Sequence, residues 1–295
     1  MLELKMANIK GGGSLKEAIS NIMTRGVITC NPSDSILEVR DIISKNRISR
    51  LVISHDKKPL GIITFKDIVN FLIKDRTNRS LEEIQAKEVM SKNLITVNLD
   101  TPVKEVAKIM NSKNISSLLV LNEAEDIEGI ITKSGLTLYY AIKGAGVHKV
   151  SDFMTKEPIT VTSSHTIFII SNLMSKNKIS KIIVVDHEKK PIGIVTLTDM
   201  TVLGNLLRPP EQVTENELRL AGGTLMLPRG IYLLTSRDLM TAHPISIKQD
   251  SDLSEAAKLM VRHRISGLPV VDGSSILVGI ITKSDITRAI ASNNN

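Results

Sequence analysis

Apolar and polar residues recur along this chain with two periods that come in a fixed order. Ile36, Val39, Ile42 and Ile43 stand at helical spacing, as do Val103, Val106, Ile109 and Met110, then Ile167, Ile170, Leu173 and Met174, and finally Leu253, Ala256, Leu259 and Met260. Each set predicts a helix with one buried stripe. Behind the first come two short β-like runs, Leu51-Val52-Ile53 and Leu60-Gly61-Ile62-Ile63, joined by the polar turn Ser54 to Lys58. A shorter run, Val27-Ile28-Thr29, precedes that helix, and the apolar pattern Ile68 to Ile73 predicts a closing one. The predicted order is β-α-β-β-α, an α+β unit.

The unit occurs four times. Its end, Gly61-Ile62-Ile63-Thr64-Phe65-Lys66-Asp67, returns as Gly129-Ile130-Ile131-Thr132, as Gly193 to Asp199 and as Gly279 to Asp285, with Gly135 replacing the acid in the second copy. Its opening Met is Met23, Met90, Met154 and Met240, at intervals of 67, 64 and 86 residues. From each Met to the Ser of an Ile-Ser pair (Ser49, Ser116, Ser180, Ser266) is 26 residues in every copy. That register identifies one supersecondary unit used four times. A unit of about 55–60 residues is marginal alone, so the units are expected to pair and bury their sheets.

The boundaries read as a flexible arm over 1–13, units over 14–82, 83–143, 144–205 and 238–295, and an extended linker over 206–237. Lys143-Gly144-Ala145-Gly146 separates the two pairs. Ser14-Leu15-Lys16-Glu17 has capping-box spacing and predicts a helix from about Leu15 to Met23. Asp34, Thr101, His165 and Ser251 stand where the amphipathic helices need N-caps, with His165 a poor one. Within the linker, Glu211 to Leu220 reads as a helix closed by Gly222-Gly223, or the glycines make a small hairpin.

Composition narrows the functional classes. No apolar run reaches the roughly 18 residues of a membrane span, and Met1 to Gly13 lacks the apolar core of a secretory signal, so a cytoplasmic protein is expected. Cys30 is the single cysteine, which excludes an intrachain disulfide framework, and its place beside the first strand gives it a structural role. The six histidines fall at non-equivalent places, and no phosphate loop or nucleophile elbow is present, so neither zinc nor an enzyme is indicated. A net charge of +7 and a pI near 9.4 favour anionic partners. Nucleic acid bound through backbone phosphate is one reading, although aromatics at 2% leave few stacking platforms.

The Met-Thr opening, the amphipathic helix, the Ile-Ser turn and the closing Gly-Ile-Ile-Thr-x-x-Asp together resemble the CBS domain, named after cystathionine beta-synthase, over nearly all of Ile22 to Ala291. In that family two units pair into a Bateman module. A four-unit chain resembles the gamma subunit of AMP-activated kinase and stand-alone archaeal-type proteins. The resemblance implies two Bateman modules in a flattened disc and non-catalytic regulation by AMP, ADP or ATP. It requires no cofactor, and is compatible with a regulated protein partner and with a homodimer. It also implies the site residues. Thr64 with Asp67, Thr196 with Asp199, and Thr282 with Asp285 would face phosphate and ribose, as a carboxylate suits a vicinal diol. Arg50 and Lys181 stand where the kinase subunits carry a phosphate-contacting Arg, while Ser117 and Gly267 fill that place in the other copies. Thr29 and Thr160 on the leading runs complete the set. The Thr-x-x-Asp spacing is equally that of a capping box, and Arg47, Lys178 and Arg264 could face phosphate or complement a helix end.

Overall fold

The computed structural model describes residues 17–75, 77, 79–201 and 234–292. The arm and most of the linker lie outside them. Copy one runs β1 (Thr24–Arg25), β2 (Thr29–Cys30), α1 (Ile36–Lys45), β3 (Arg50–His55), β4 (Lys58–Thr64) and α2 (Phe65–Lys74). Copy two has α3 (Ala86–Val89), β5 (Thr96–Asn98), α4 (Val103–Ser112), β6 (Ser117–Leu121), β7 (Ile127–Thr132) and α5 (Lys133–Lys143). Copy three has α6 (Val150–Phe153), β8 (Thr155–Lys156), β9 (Thr160–Val161), α7 (Ile167–Asn177), β10 (Lys181–Val185), β11 (Pro191–Thr196) and α8 (Leu197–Thr201). Copy four has α9 (Ser236–Leu239), β12 (Thr241–Ala242), β13 (Ile247–Lys248), α10 (Leu253–Arg262), β14 (Gly267–Val271), β15 (Leu277–Thr282) and α11 (Lys283–Ser292).

The predicted β-α-β-β-α order holds in each copy. In copy one β2 runs parallel to β3, and β3 pairs antiparallel with β4 through a tight turn whose residues Asp56 and Lys57 both take positive φ, 46° and 64°. Such a turn matches the strand twist.

An additional element joins the copies in pairs. The residues following each Met pair with the closing strand of the neighbouring copy. β1 lies on β7, β8 on β15 and β12 on β11, all antiparallel, and Ser91 bridges Ile62. Each Met thereby covers the Gly of that strand. A Cβ on Gly61 would stand 2.5 Å from Met90 Sδ, on Gly129 2.7 Å from Met23 Sδ, on Gly193 2.3 Å from Met240 Sδ and on Gly279 2.8 Å from Met154 Sδ. The closing glycines are holes for the partner's methionine, the close approach that a glycine within a strand marks.

The exchange also completes the helix starts. The first N–H of an α-helix has no partner inside the helix. Here Ile36 N–H donates to Ile84 O, Val103 to Glu17 O and Ile167 to Leu234 O, at 2.9, 2.9 and 3.0 Å. This contact overturns the helix expected from Leu15 to Met23. Over its described part the chain is extended at Ala18, which bridges Pro102, with only a 3₁₀ turn at Ile19–Asn21, because Glu17 and its neighbours pair with the 99–103 turn. The expected N-caps are likewise displaced. Asp34, Thr101 and His165 each accept the backbone N–H three residues earlier and close the preceding turn, while Ser35, Pro102 and Thr166 take the cap positions.

The chain divides into two compact units. The first holds residues up to His148 with Leu253–Arg264 and Lys283–Asn295, and the second holds Lys149–Asp252 with Ile265–Thr282. In the first, a copy-one core of Ile36, Val39, Ile43, Leu51, Ile53 and Ile63 also takes in Ile84, Ala86 and Val89 from the copy-two lead. There α10 packs on α5, and α11 on α4 and α5. Small residues on these helices, Ala107, Ala141, Ala256, Ala257 and Ala289, are buried and let the backbones approach around Tyr139, Tyr140 and Met110. In the second unit Val161, Ile167, Ile170, Met174, Ile182, Val184 and Val195 form a core covered by Leu234, at the end of the linker, and by Leu239 and Met240 of copy four, while Ile183 and Val185 meet Ile280 between the sheets.

Candidate functional site

In copy one the sheet order β2-β3-β4 carries the candidate residues to one end. Arg50 and Thr64 are register partners across the antiparallel β3–β4 pair, so their side chains leave the same face of the sheet about 5 Å apart at Cβ. Asp67 follows in the first turn of α2, and Thr29 pairs with Val52, two residues along from Arg50. Copy three repeats the arrangement. Lys181 opposes Thr196, Asp199 lies in the first turn of α8, and Thr160 pairs with Ile183.

Both acids make capping boxes. Asp67 Oδ2 accepts from Thr64 N–H at 2.8 Å and Thr64 Oγ1 at 2.6 Å, while Asp67 N–H donates to Thr64 Oγ1 at 3.3 Å. Asp199 and Thr196 match these at 2.7, 2.7 and 3.4 Å. The capping expectation is met, and in both boxes the contacts fall on a single carboxylate oxygen. Copy two makes half a box, Gly135 N–H donating to Thr132 Oγ1 at 3.1 Å.

Copy four differs. Thr282 ends β15 opposite Gly267, and Asp285 is 5% exposed, with Arg288 Nη2 2.6 Å from its Oδ1. A Cβ on Gly267 would stand 3.1 Å from Lys181 Cδ, so the missing cation of copy four faces the one present in copy three.

Arg50 crosses between copies. Its Nη1 donates to Ser116 Oγ at 3.0 Å, and its Nε and Nη2 to Ser49 Oγ at 3.2 and 3.1 Å. Burial lowers the pKa of this guanidinium, which nevertheless stays charged. Among the described residues its partners are neutral hydroxyls. An ionised partner would make a stronger hydrogen bond to this half-buried cation than these hydroxyls do. Arg47, Lys178 and Arg264 are exposed and take left-handed φ values of 51°, 53° and 55° where the chain leaves α1, α7 and α10, which places them at helix ends.

The sequence reading passed over Lys133 and Lys283, whose ammonium groups reach Ser284 Oγ and Ser134 Oγ at 3.0 Å each. The signal was the tripeptide Thr-Lys-Ser at 132–134 and again at 282–284, in copies two and four only. Cys30 is buried, and desolvation with the nearby Asp34 and Glu38 charges pushes its thiol up to about 12, so it stays a neutral core residue. Among the described residues no group of His, Cys, Asp and Glu could hold a metal ion, and no helix is long and apolar enough to cross a membrane.

Four domains of one sequence family, each a small sheet with flanking helices and exchanging its lead with a neighbour, thus make up the chain. It belongs to the CBS domain family, whose model matches residues 19–74, 86–141, 150–203 and 237–292. Two relatives from Methanocaldococcus jannaschii span most of it. The uncharacterized protein MJ1404 is 27% identical over 94% of this chain, which covers 62% of that protein's length. The uncharacterized protein MJ1225 is 25% identical over 90% of this chain and 95% of its own. The crystal structure of MJ1225, described as a proposed archaeal homolog of g-AMPK, superposes with a TM-score of 0.73 over 93% of this chain and 100% of its own, at 23% identity. CBSX2, solved in complex with AMP, matches 48% of this chain and 95% of its own at 28% identity and a TM-score of 0.38.

Proposed function

We propose that this chain is a non-catalytic regulatory protein that binds adenine nucleotides, AMP, ADP or ATP, at copies one and three, and so controls a protein partner. The observation that carries the reading is Arg50, a desolvated guanidinium bonded only to serine hydroxyls among the described residues and opposite Thr64, which itself caps the helix turn that holds Asp67. A nucleotide phosphate would replace those neutral partners by a charged one, and the ribose diol would take up the second oxygen of Asp67. Lys181, Thr196 and Asp199 offer the same set in copy three. Copy two lacks the acid, and in copy four Asp285 is buried against Arg288, so both should bind weakly. Calorimetric titration of the full chain with AMP, ADP and ATP tests this. Asp67→Ala and Asp199→Ala should each remove about one equivalent, because a lost charged hydrogen bond costs about 1.5–3 kcal/mol, roughly ten- to over a hundredfold. Absence of binding to all three at millimolar concentration refutes the proposal, and unchanged affinity and stoichiometry in both variants reduces the carboxylates to caps. A nucleic-acid role rests on the net charge of +7 alone and would show retention that falls log-linearly with salt.

A further inference from the structure

In each copy the residue six places before the opening Met gives its carbonyl to a helix start in the copy with which it pairs. Ile84 O accepts from Ile36 N–H, Glu17 O from Val103, His148 O from Leu253 and Leu234 O from Ile167, at 2.9, 2.9, 2.9 and 3.0 Å. The Met set over the partner's Gly also recurs in all four. Contacts that every copy shares hold a lead on its seat but do not distinguish one seat from another. The four side chains do differ. Ile84 belongs to the copy-one core with Ile36, against which Phe71 packs, and Leu234 packs on Ile167 and its neighbours. His148 stacks on Tyr140 of α5, its Nδ1 2.9 Å from the phenol oxygen. Glu17 alone of the four is an acid, and it too meets α5, where Lys143 Nζ lies 3.0 Å from its Oε1.

The seat of Glu17 suits an acid. The Lys143 side chain is 4% exposed, and Tyr139, one turn before it, is wholly buried with its phenol hydrogen-bonded by the Glu17 backbone. Copy one has Phe71 and Asp75 at the places of Tyr139 and Lys143, and copy four has Ala289 at the place of Tyr139. A carboxylate moved to the copy-one seat would find an acid where copy two has its cation, and an apolar residue on the copy-two seat would leave Lys143 without this carboxylate. Among the described residues Glu17 Oε2 has neither exposed surface nor a hydrogen-bond partner, so apolar residues of similar size would hold the lead as firmly as this pair does. Ile84, His148 and Leu234 each lie between two copies, which limit where they reach. Glu17 precedes copy one and, among the four copies, is tethered by that one alone. We propose that the Glu17–Lys143 pair, with Tyr139, is a pairing mark that directs the lead of copy one to copy two and bars it from the seats of the other copies. The mark acts by making the wrong seats costly rather than the right one tight.

The test reads where the lead sits. Thr24 and Ile130 are register partners across β1 and β7, so Thr24→Cys with Ile130→Cys should form a disulfide when the full chain is refolded from urea and then oxidised, while buried Cys30 stays apart. With Glu17 and Lys143 intact the crosslink should be nearly complete. Glu17→Leu with Lys143→Leu should keep the thermal midpoint within about 3 °C yet lower the crosslinked fraction by about twofold or more, because the unmarked lead then suits the apolar seats too. Glu17→Lys should unseat the lead, and adding Lys143→Glu should restore the crosslink, an arm that decides the matter if the leucine pair fails to fold. Full crosslinking in a folded leucine pair makes the ion pair a mere fastener and overturns the proposal. So do failure of the reversed pair to restore the crosslink and a low yield with Glu17 and Lys143 both in place.

Discussion

Gly61→Ala isolates the contact on which pairing of copies one and two depends. The new Cβ would lie 2.5 Å from Met90 Sδ, 2.7 Å from its Cγ and 2.9 Å from its Cβ, all well inside van der Waals contact. Overpacking of this kind costs about 1–3 kcal/mol. Alanine recovers roughly 0.5–1 kcal/mol by restricting the unfolded chain, so the net loss should be about 1–2 kcal/mol. Gly129→Ala should cost more, since there the Cβ also meets the Thr24 carbonyl at 2.9 Å, and backbone cannot swing aside as a thioether can. Equilibrium unfolding in urea reads these values, and a cycle with Met90→Ala identifies their cause. Shortening Met90 removes the Sδ and Cγ contacts and leaves only its Cβ, at 2.9 Å, so Gly61→Ala in that background should cost clearly less, a coupling of about 1 kcal/mol. If the two substitutions instead add to within about 0.5 kcal/mol, the methionine is not what excludes a side chain at Gly61, and the knob-and-hole account fails.

Gly135→Asp should complete the copy-two box and raise stability by about 1 kcal/mol, through loss of a helical glycine and gain of an acid at a helix start. Its Cβ would stand 3.2 Å from the movable Ile131 Cδ1, and thermal unfolding checks the gain. Cys30 should resist thiol reagents at neutral pH until the chain unfolds. Its folded pKa of about 12 exceeds the ordinary 9.0, so the thiol's contribution is fully present below pH 9 and is lost between about pH 9 and 12, as the unfolded chain ionises first. Cys30→Ala should flatten that alkaline arm of the stability profile.

Legibility in the sequence followed the range of the interactions. Helical stripes such as Val103 to Met110 and runs such as Leu51 to Ile53 advertise their periods within a few residues, and the fourfold register multiplied each weak signal. The Thr64–Asp67 and Thr196–Asp199 boxes were readable because both partners lie within one turn, and Arg50 and Lys181 fell opposite those threonines because antiparallel register follows from a short hairpin. The lead strands were not readable. Thr24–Arg25 is too short to show alternation, and its partner Gly129–Ile130 lies a whole copy away. Only the joint recurrence of Met and Gly in all four copies hinted that they belong together. Caps were misplaced for the same reason, since Glu17, Ile84 and Leu234 satisfy helix starts in other copies and local rules have no view of them. Lys133 and Lys283 share a tripeptide, but only tertiary packing reveals that each finishes on the other's serine.

Lead exchange also governs what a ribosome can release in folded form. When the residues of copy one have emerged, α1 still lacks the carbonyl of Ile84, β4 has no Ser91 beside it, and Met23 has no Gly129 to cover. The nascent segment therefore has to wait for residues up to about Thr132, holding contacts as distant as Ile19 to Thr101 in abeyance, before any of it can close. Such long-range closure slows folding and keeps apolar strands uncovered during synthesis. The smallest fragment that should leave the ribosome competent to fold is a pair of copies, never one, and a chain stopped after a single copy should be a substrate for chaperones.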